Sequence, residues 1–339
     1  MQKLSVIVPV HNGGDDFRQC LASLTEFAPP GTEIIVVADG ESDSSWKLAD
    51  EFGTRLIRLP ESRGPAVARN SGAALAEGDI LFFVDADVVV HPDTMSKVLQ
   101  AFEHNASLSA LIGSYDNSPG ASNFLSQYKN LFHHYNHQLG NEQASTFWGA
   151  CGAIRRPIFE KVGGFDEKYR RPCIEDIELG YRLKRAGYQI GLEKDIQVKH
   201  LKCWKPFSLL RAEVFYRALP WTALLLEIKK ESPQDYAKFT SDLNLRTSSQ
   251  VSVVLVFAFL ASIIVALFWP IIWLLTAALL CLVIGINIPV YHFFQKERGI
   301  LFALQVIPWH IFYYFYSGLS FAIGNLRFIF KETETTFAP

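Results

Sequence analysis

Asp85-Ala86-Asp87 ends the apolar run Ile80-Leu81-Phe82-Phe83-Val84, which reads as a fully buried strand. A buried strand that stops in two carboxylates puts two negative charges at the carboxyl edge of a sheet, where α/β proteins bind ligands. Hard oxygen donors one residue apart suit a divalent ion such as Mg²⁺ or Mn²⁺, held jointly with ligand phosphates. A solvated turn would use the same triplet, because a lone Asp-x-Asp has little specificity. Asp39 follows a second apolar run, Ile34 to Ala38. Such a carboxylate can accept the ring N–H of a base or a ribose hydroxyl, or it can form the turn before Gly40. Glu175-Asp176 opens a helical stretch, where acidic residues also serve the helix dipole.

The elements that must position these groups alternate. Ser5 to Pro9, Glu33 to Ala38, Leu56 to Leu59 and Asp79 to Val84 read as strands. Phe17 to Phe27 has helical spacing at Phe17, Cys20, Leu21, Leu24 and Phe27, and Pro65 to Ala76 is a helix of small residues. Strand–helix alternation predicts a mostly parallel sheet with helices on both faces, an α/β class. The rhythm breaks between Ser114 and Gly152, around an aromatic and polar run from Tyr128 to His137. That run is a candidate acceptor wall. Its His133, His134 and His137 are read as packing or hydrogen-bonding groups, not as a metal cluster. Asp176 to Arg185 is a helix, and Tyr188 to Val198 a closing strand.

The chain has 339 residues and a net charge of −2, so no general attraction to nucleic acid is implied. Five cysteines, none in a CxxC pair, fit reduced thiols. Val251 to Phe294 and Ile300 to Leu326 contain no Asp, Glu, Lys or Arg. A spanning helix takes about 20 apolar residues, so the first stretch fits two spans broken near Phe268-Trp269-Pro270 and the second fits one. No signal peptide is read at the N-terminus. Lys229, Lys230, Lys238 and Arg246 precede the first span, and Lys296 and Arg298 follow the second. The expectation is a multi-pass protein of the plasma (inner) membrane with its N-terminal domain cytosolic. Three spans place the tail outside; Arg327 and Lys331 favour a re-entrant third segment instead. Lys205 to Lys230, apolar with Arg211, Arg217 and a kink at Pro220, fits a helix in the headgroup plane or one packed on the sheet.

Five groups of residues, in order, resemble family 2 glycosyltransferases of the GT-A nucleotide-sugar fold over about residues 4 to 204. They are Val6-Ile7-Val8-Pro9-Val10-His11-Asn12; Ile34 to Asp43, with Ala38 where the family usually has a polar residue; Arg63 to Gly72 with Asp85-Ala86-Asp87; Trp148 to Arg156 with Gly163-Gly164-Phe165-Asp166; and Glu175 to Leu183 followed by His200. The resemblance implies nucleotide-sugar contacts from Pro9, Asn12, Asp39, Arg69, Asp85, Gly149 and Gly152. It implies a divalent metal, Mn²⁺ or Mg²⁺, on Asp85, Asp87 and His200. His200 also reads as a plain histidine at a strand end, and Arg69 as a salt-bridge former. Asp176 would be the general base, with Glu175 as its hydrogen-bond partner, and a single base implies inversion at the anomeric carbon.

The expected domains are a GT-A catalytic domain over 1–204, juxtamembrane helices over 205–250, about three membrane helices over 251–326 and a tail over 327–339. The expected activity is sugar transfer from a nucleotide-diphosphate donor to a lipid, lipid-linked or glycan acceptor at the membrane. Two alternatives stand beside it. One is a processive polysaccharide synthase, although the Gln-x-x-Arg-Trp motif of those relatives is replaced by Arg217-Ala218-Leu219-Pro220-Trp221. The other is a non-catalytic nucleotide-sugar-binding membrane protein.

Overall fold

The computed structural model describes residues 2–239 and 246–336. The chain divides between Lys205 and Pro206 into two compact units.

The first unit begins with strand and helix in turn: β1 (Leu4–Val10), α1 (Gly14–Phe27), β2 (Glu33–Asp39), α2 (Ser45–Glu51), β3 (Arg55–Leu59), α3 (Pro65–Leu75) and β4 (Ile80–Val84). β1 pairs in parallel with β2 and β4, and β2 in parallel with β3. Every residue of β4 is buried, as a parallel strand covered on both faces requires. β1 lies between β2 and β4, so the direction of winding reverses there. The crevice outside the carboxyl ends of β1 and β4 is where such sheets take ligands. Asn12 and the Asp85-Ala86-Asp87 triplet leave the sheet at this edge.

Beyond the triplet come β5 (Val88–Val90), α4 (Thr94–His104), β6 (Leu108–Tyr115), α5 (Phe124–Gln138), β7 (Cys151–Arg155), α6 (Arg156–Lys161), α7 (Glu175–Arg185) and β8 (Gln189–His200). The strand order is β3-β2-β1-β4-β7-β6-β8-β5. β7 runs antiparallel to both β4 and β6, and β5 antiparallel to β8, while β6 and β8 are parallel. The sheet is therefore mixed, and parallel pairing is confined to its first half and the β6–β8 pair. β8 is the last strand in chain order. It lies inside the sheet and continues to His200, which pairs with Val88.

The aromatic run is helix α5, and its histidines pack. His137 Nδ1 lies 2.8 Å from the Gly113 carbonyl and His134 Nδ1 2.6 Å from that of Tyr115. Burial, with a smaller push from His134 and against the Gly113 hydrogen bond, lowers the His137 pKa to about 4. An unfolded histidine takes its proton near pH 6.5. Between these values the unfolded chain binds the extra proton, so stability falls as pH falls from about 6.5 to 4, by up to about 3 kcal/mol. Thermal melts against pH should show this slope in the wild-type chain and a shallower one, by about one proton, in His137→Gln. Equal slopes would remove His137 as the cause.

The second unit starts with α8 (Pro206–Arg211), a π-helical turn (Ala212–Ala218) and α9 (Leu219–Glu231). These run on without interruption, so Pro220 does not break the helix. Proline has no N–H and crowds the carbonyl four residues back, and the widened turn just before it accommodates the ring. α10 (Pro233–Phe239), α11 (Thr247–Ala266), α12 (Ile272–Ile286), α13 (Ile288–Arg298) and α14 (Ile300–Thr336) follow. α11 and α14 are long and apolar enough to cross a membrane, and α12 and α13 would do so only as one span bent by 60°. Residues 240–245, the side chains of Lys238 and Lys331, and 337–339 of the expected tail lie outside the described residues.

Candidate active site

Arg69 is the centre of the site. It sits on α3, 4% exposed, with Nη2 donating to Asp85 Oδ1 at 2.7 Å and Nη1 to Glu175 Oε1 at 2.8 Å. The guanidinium also faces the Phe165 ring, 5.3 Å from its centroid. Phe165 belongs to an edge-to-face aromatic cluster with Phe83 and Phe147. One buried cation thus joins the end of β4 to the start of α7, and its partner Glu175 lies 106 residues from it in sequence. Burial alone would lower the Arg69 pKa, but Asp85, Glu175 and Asp176 outweigh it and hold the proton more firmly. Arg69 is therefore an internal salt-bridge former, with both Nη atoms turned to carboxylates of the chain.

Glu175 is buried, and its other oxygen accepts the Cys173 N–H at 2.9 Å. Asp176, the next residue, is less buried and accepts the Gly149 N–H on Oδ2 at 3.1 Å. The two carboxylates expected to act together therefore have distinct surroundings: Glu175 anchors the helix and Asp176 reaches the 147–150 loop. Arg182 fixes α7 from its other end, bonding Glu178 and the carbonyls of Val162 and Gly164. Asn70 ties Phe165 through both its backbone groups, at 2.9 Å each. Both residues stood in the quoted motifs, yet only their contacts reveal that they hold the helix carrying Asp176.

The glycines serve packing. A Cβ on Gly149 would lie 2.8 Å from Arg69 Cζ, and one on Gly152 would lie 2.3 Å from the Trp148 carbonyl oxygen. At both positions the bare backbone also allows close approach to Arg69 and to the chain's own loop. Asp39 likewise turns inward. It is 4% exposed, and its carboxylate accepts from Arg63 N–H (2.7 Å), Gly64 N–H (2.9 Å) and Ser62 Oγ (3.0 Å). It fixes the loop leading into α3. Asn12, with a φ of +56°, accepts the N–H groups of Ser42 and Asp43 on Oδ1 at 2.7 and 3.2 Å. Pro9 lies within β1, opposite Val37.

The expected metal ligands separate. Asp85 is paired with Arg69, whereas Asp87 Oδ2 lies 3.7 Å from His200 Nε2 and 3.5 Å from Lys202 Nζ. Among the described residues, no group of three or more His, Cys, Asp or Glu side chains could hold a metal ion. His200 is 8% exposed, stacked on Tyr115 at 4.4 Å, with Nδ1 at 3.1 Å from Asn130 Oδ1. With Nδ1 held by a carbonyl oxygen, the ring is oriented as in metal-binding histidines and turns Nε2 toward Asp87. Asn130 is a residue that sequence reasoning missed, since the signal that it meets His200 is the folding of α5 across β8. Burial works to raise the Asp87 carboxyl, yet His200 and Lys202 hold it well below the usual range. Burial, then Asp87, pushes the Asp16 carboxyl up, as expected where carboxylates gather. Asp87 and His200 fit two positions around a divalent cation; the others would come from phosphate oxygens and water.

Residues 5–163 match a family model described as "Glycosyl transferase family 2". Residues 129–202 match "N-terminal domain of galactosyltransferase". The probable glycosyltransferase YdaM of Bacillus subtilis is 30% identical over 206 residues, which are 56% of this chain and 48% of that protein. The poly-beta-1,6-N-acetyl-D-glucosamine synthase of Staphylococcus aureus is 25% identical over 202 residues, 57% of this chain and 48% of that one. The chain thus spans about half the length of these curated relatives. The structure of the mannosyltransferase PcManGT from Pyrobaculum calidifontis, solved with GDP-Man and Mn²⁺, superimposes with a TM-score of 0.60 at 18% identity, covering 91% of this chain and 88% of that one. TarS of S. aureus with UDP-GlcNAc gives 0.53 at 18% identity, over 70% of this chain and 71% of that one. Residues 5–163 are therefore similar to family 2 glycosyltransferases, and the first unit has a GT-A-like mixed sheet.

Proposed function

We propose that the protein is a membrane-bound inverting glycosyltransferase, which moves a sugar from a nucleoside-diphosphate donor to a lipid or lipid-linked acceptor on the cytosolic face of the plasma (inner) membrane. The observation that carries this reading is the Arg69 bridge, which joins the first carboxylate of the Asp85-Ala86-Asp87 triplet to Glu175, the neighbour of Asp176. Two structural neighbours hold nucleotide sugars, one of them with Mn²⁺, which supports the donor class. Apolar α11 and α14 support the membrane setting.

In this reaction Asp176 takes the acceptor's hydroxyl proton. The freed oxygen attacks the anomeric carbon from the face opposite the leaving group. A C–O bond to the acceptor forms while the bond to the diphosphate breaks, with its electron pair leaving on the nucleoside diphosphate. An alcohol is a weak nucleophile, so a base within hydrogen-bond reach is required. Asp87 and His200 would hold a divalent cation, which supplies positive charge for the leaving diphosphate. Asp39 and Asn12 act by fixing the loops at the ends of β1 and β2. The S. aureus relative named as a synthase keeps the processive alternative in view.

A screen of nucleoside diphosphates with Mn²⁺ should raise the melting temperature for one base above the others. Ligand at about 100 times its Kd adds about 2.7 kcal/mol to stability. With the matching sugar donor and membrane lipid extract, single-sugar products of inverted anomeric configuration are expected. A ladder of long chains would establish the synthase instead, and no response to any nucleotide would defeat the donor assignment.

A further inference from the structure

The second unit offers two long apolar helices that pass the length and composition test for a span, but its packing treats them differently. α11 and α12 form a hairpin. Thr276 Oγ1 donates to Ser262 Oγ at 2.9 Å midway along it, and Asn287 Nδ2 donates to Ser252 Oγ at 3.0 Å at its base. Exposed apolar side chains cover the rest, among them Val254, Ile264, Leu274 and Leu282. The tip, 267–271, is apolar, and Phe268, Trp269 and Ile272 donate their N–H groups to carbonyls of the hairpin itself. A turn with its backbone satisfied internally can sit in hydrocarbon.

α14 does not join that hairpin along its length. It meets the hairpin at the base, where Tyr314 Oη donates to Asn287 Oδ1 at 2.8 Å and Gly318 lies against Val253 and Phe257. Before that point α14 packs on α13, with Phe302 5.8 Å from Phe294 and His310 5.7 Å from Tyr291. After it, α14 packs on α9 and the π-helical turn. A Cβ on Gly324 would lie 2.7 Å from Thr222 Cγ2. That turn carries the buried Glu213, 3.5 Å from Arg217. α13, bent by 60° from α12, ends in Lys296-Glu297-Arg298.

Two further observations concern α14 alone. Its apolar stretch Ile300–Phe330 has 31 residues, which at 1.5 Å each is about 46 Å, against a hydrocarbon core of about 30 Å. To bury that whole stretch in hydrocarbon, a straight helix would tilt by about 50°, beyond the usual range of about 0–40°. Of its exposed apolar side chains, Leu301, Leu304, Phe312, Leu319, Leu326 and Phe330 share one face at the helical repeat, Ile300 and Ile329 flank that face, and Phe321 lies opposite it.

We propose that α13 and α14 lie in the headgroup plane, with only the α11–α12 hairpin entering the bilayer, so that Lys229, Lys296 and Arg327 all face the same side. The partner surface is the bilayer, met by the α14 face that carries Leu301, Leu304, Phe312, Leu319, Leu326 and Phe330. This inference rests on the membrane reading above and goes beyond it. It replaces three spans with one hairpin that enters and leaves by the same face.

The test uses the full chain in membranes, with Lys229→Cys, Lys296→Cys and Arg327→Cys each compared with the parent chain for labelling by a membrane-impermeant maleimide. All three positions are exposed. Labelling of all three in inside-out vesicles, with none in sealed right-side-out vesicles until detergent is added, is the expected result. Arg327→Cys labelled from the face opposite Lys296→Cys, or labelled only after detergent in both kinds of vesicle, would overturn the proposal. Alkaline carbonate extraction separates the two levels: release of the parent chain from membranes would defeat the membrane reading itself, whereas retention with opposite-face labelling defeats only the in-plane placement.

Discussion

Arg69→Met is expected to lower the melting temperature of the protein by about 10 °C or more, through a cost of about 3–5 kcal/mol for breaking a buried ion pair. The side chains of Arg69 and Glu175 are each 5% exposed, at 2.8 Å separation. Methionine fills much of the arginine's volume but leaves the Glu175 carboxylate without its counter-charge. Asp85 loses less, because its side chain is 34% exposed and water can replace the guanidinium. This asymmetry gives a second test. Arg69→Met combined with Glu175→Gln should recover most of the lost stability, since the amide oxygen can still accept the Cys173 N–H. Adding Asp85→Asn to Arg69→Met should recover little. A single-variant melt within a degree or two of wild type, measured on the full chain in detergent, would mean that the bridge does not hold the site together.

Asp176→Asn is expected to reduce sugar transfer by about 10²–10⁴-fold, the range for losing a general base. Nucleotide binding should be retained within about threefold, because the substitution keeps the side chain's shape and its acceptor for the Gly149 N–H, and a surface polar exchange of this kind costs little stability. The comparison that matters is kcat against donor Kd. A fall in kcat with unchanged donor Kd and unchanged melting temperature assigns the base to Asp176. Full activity would move the base elsewhere, and loss of folding would make Asp176 a structural anchor like Glu175.

Much of the first half-sheet was legible because its strands are apolar runs and its helices have the periodicity of a face. β1 to β4 fall within a residue or two of their expected bounds. β5 and β7 were not legible. β5 is three residues long and follows directly on the triplet, so periodicity has nothing to count. β7 is antiparallel, and its place between β4 and β6 is fixed by pairings with partners some 40 to 70 residues away. The site divides in the same way. Residue types named the carboxylates and His200, but not their assignments. That Asp85 faces Arg69 while Asp87 faces His200 follows from their opposite directions out of one short loop. Asp39 and the two glycines were read for ligand contact, and the tertiary neighbours they meet within the chain were not legible. Asn130 had no motif at all.

The antiparallel pairing of β5 with β8 also has a temporal consequence. Asp87 precedes β5, and His200 is the β8 residue that pairs with Val88. A ribosome adding about 5–20 residues per second needs roughly 6–23 s to pass from the first of these to the second. During that interval the emerging polypeptide displays the acidic triplet with neither the imidazole nor Lys202 alongside. This corner of the sheet is therefore completed late, when the last strand of the unit docks.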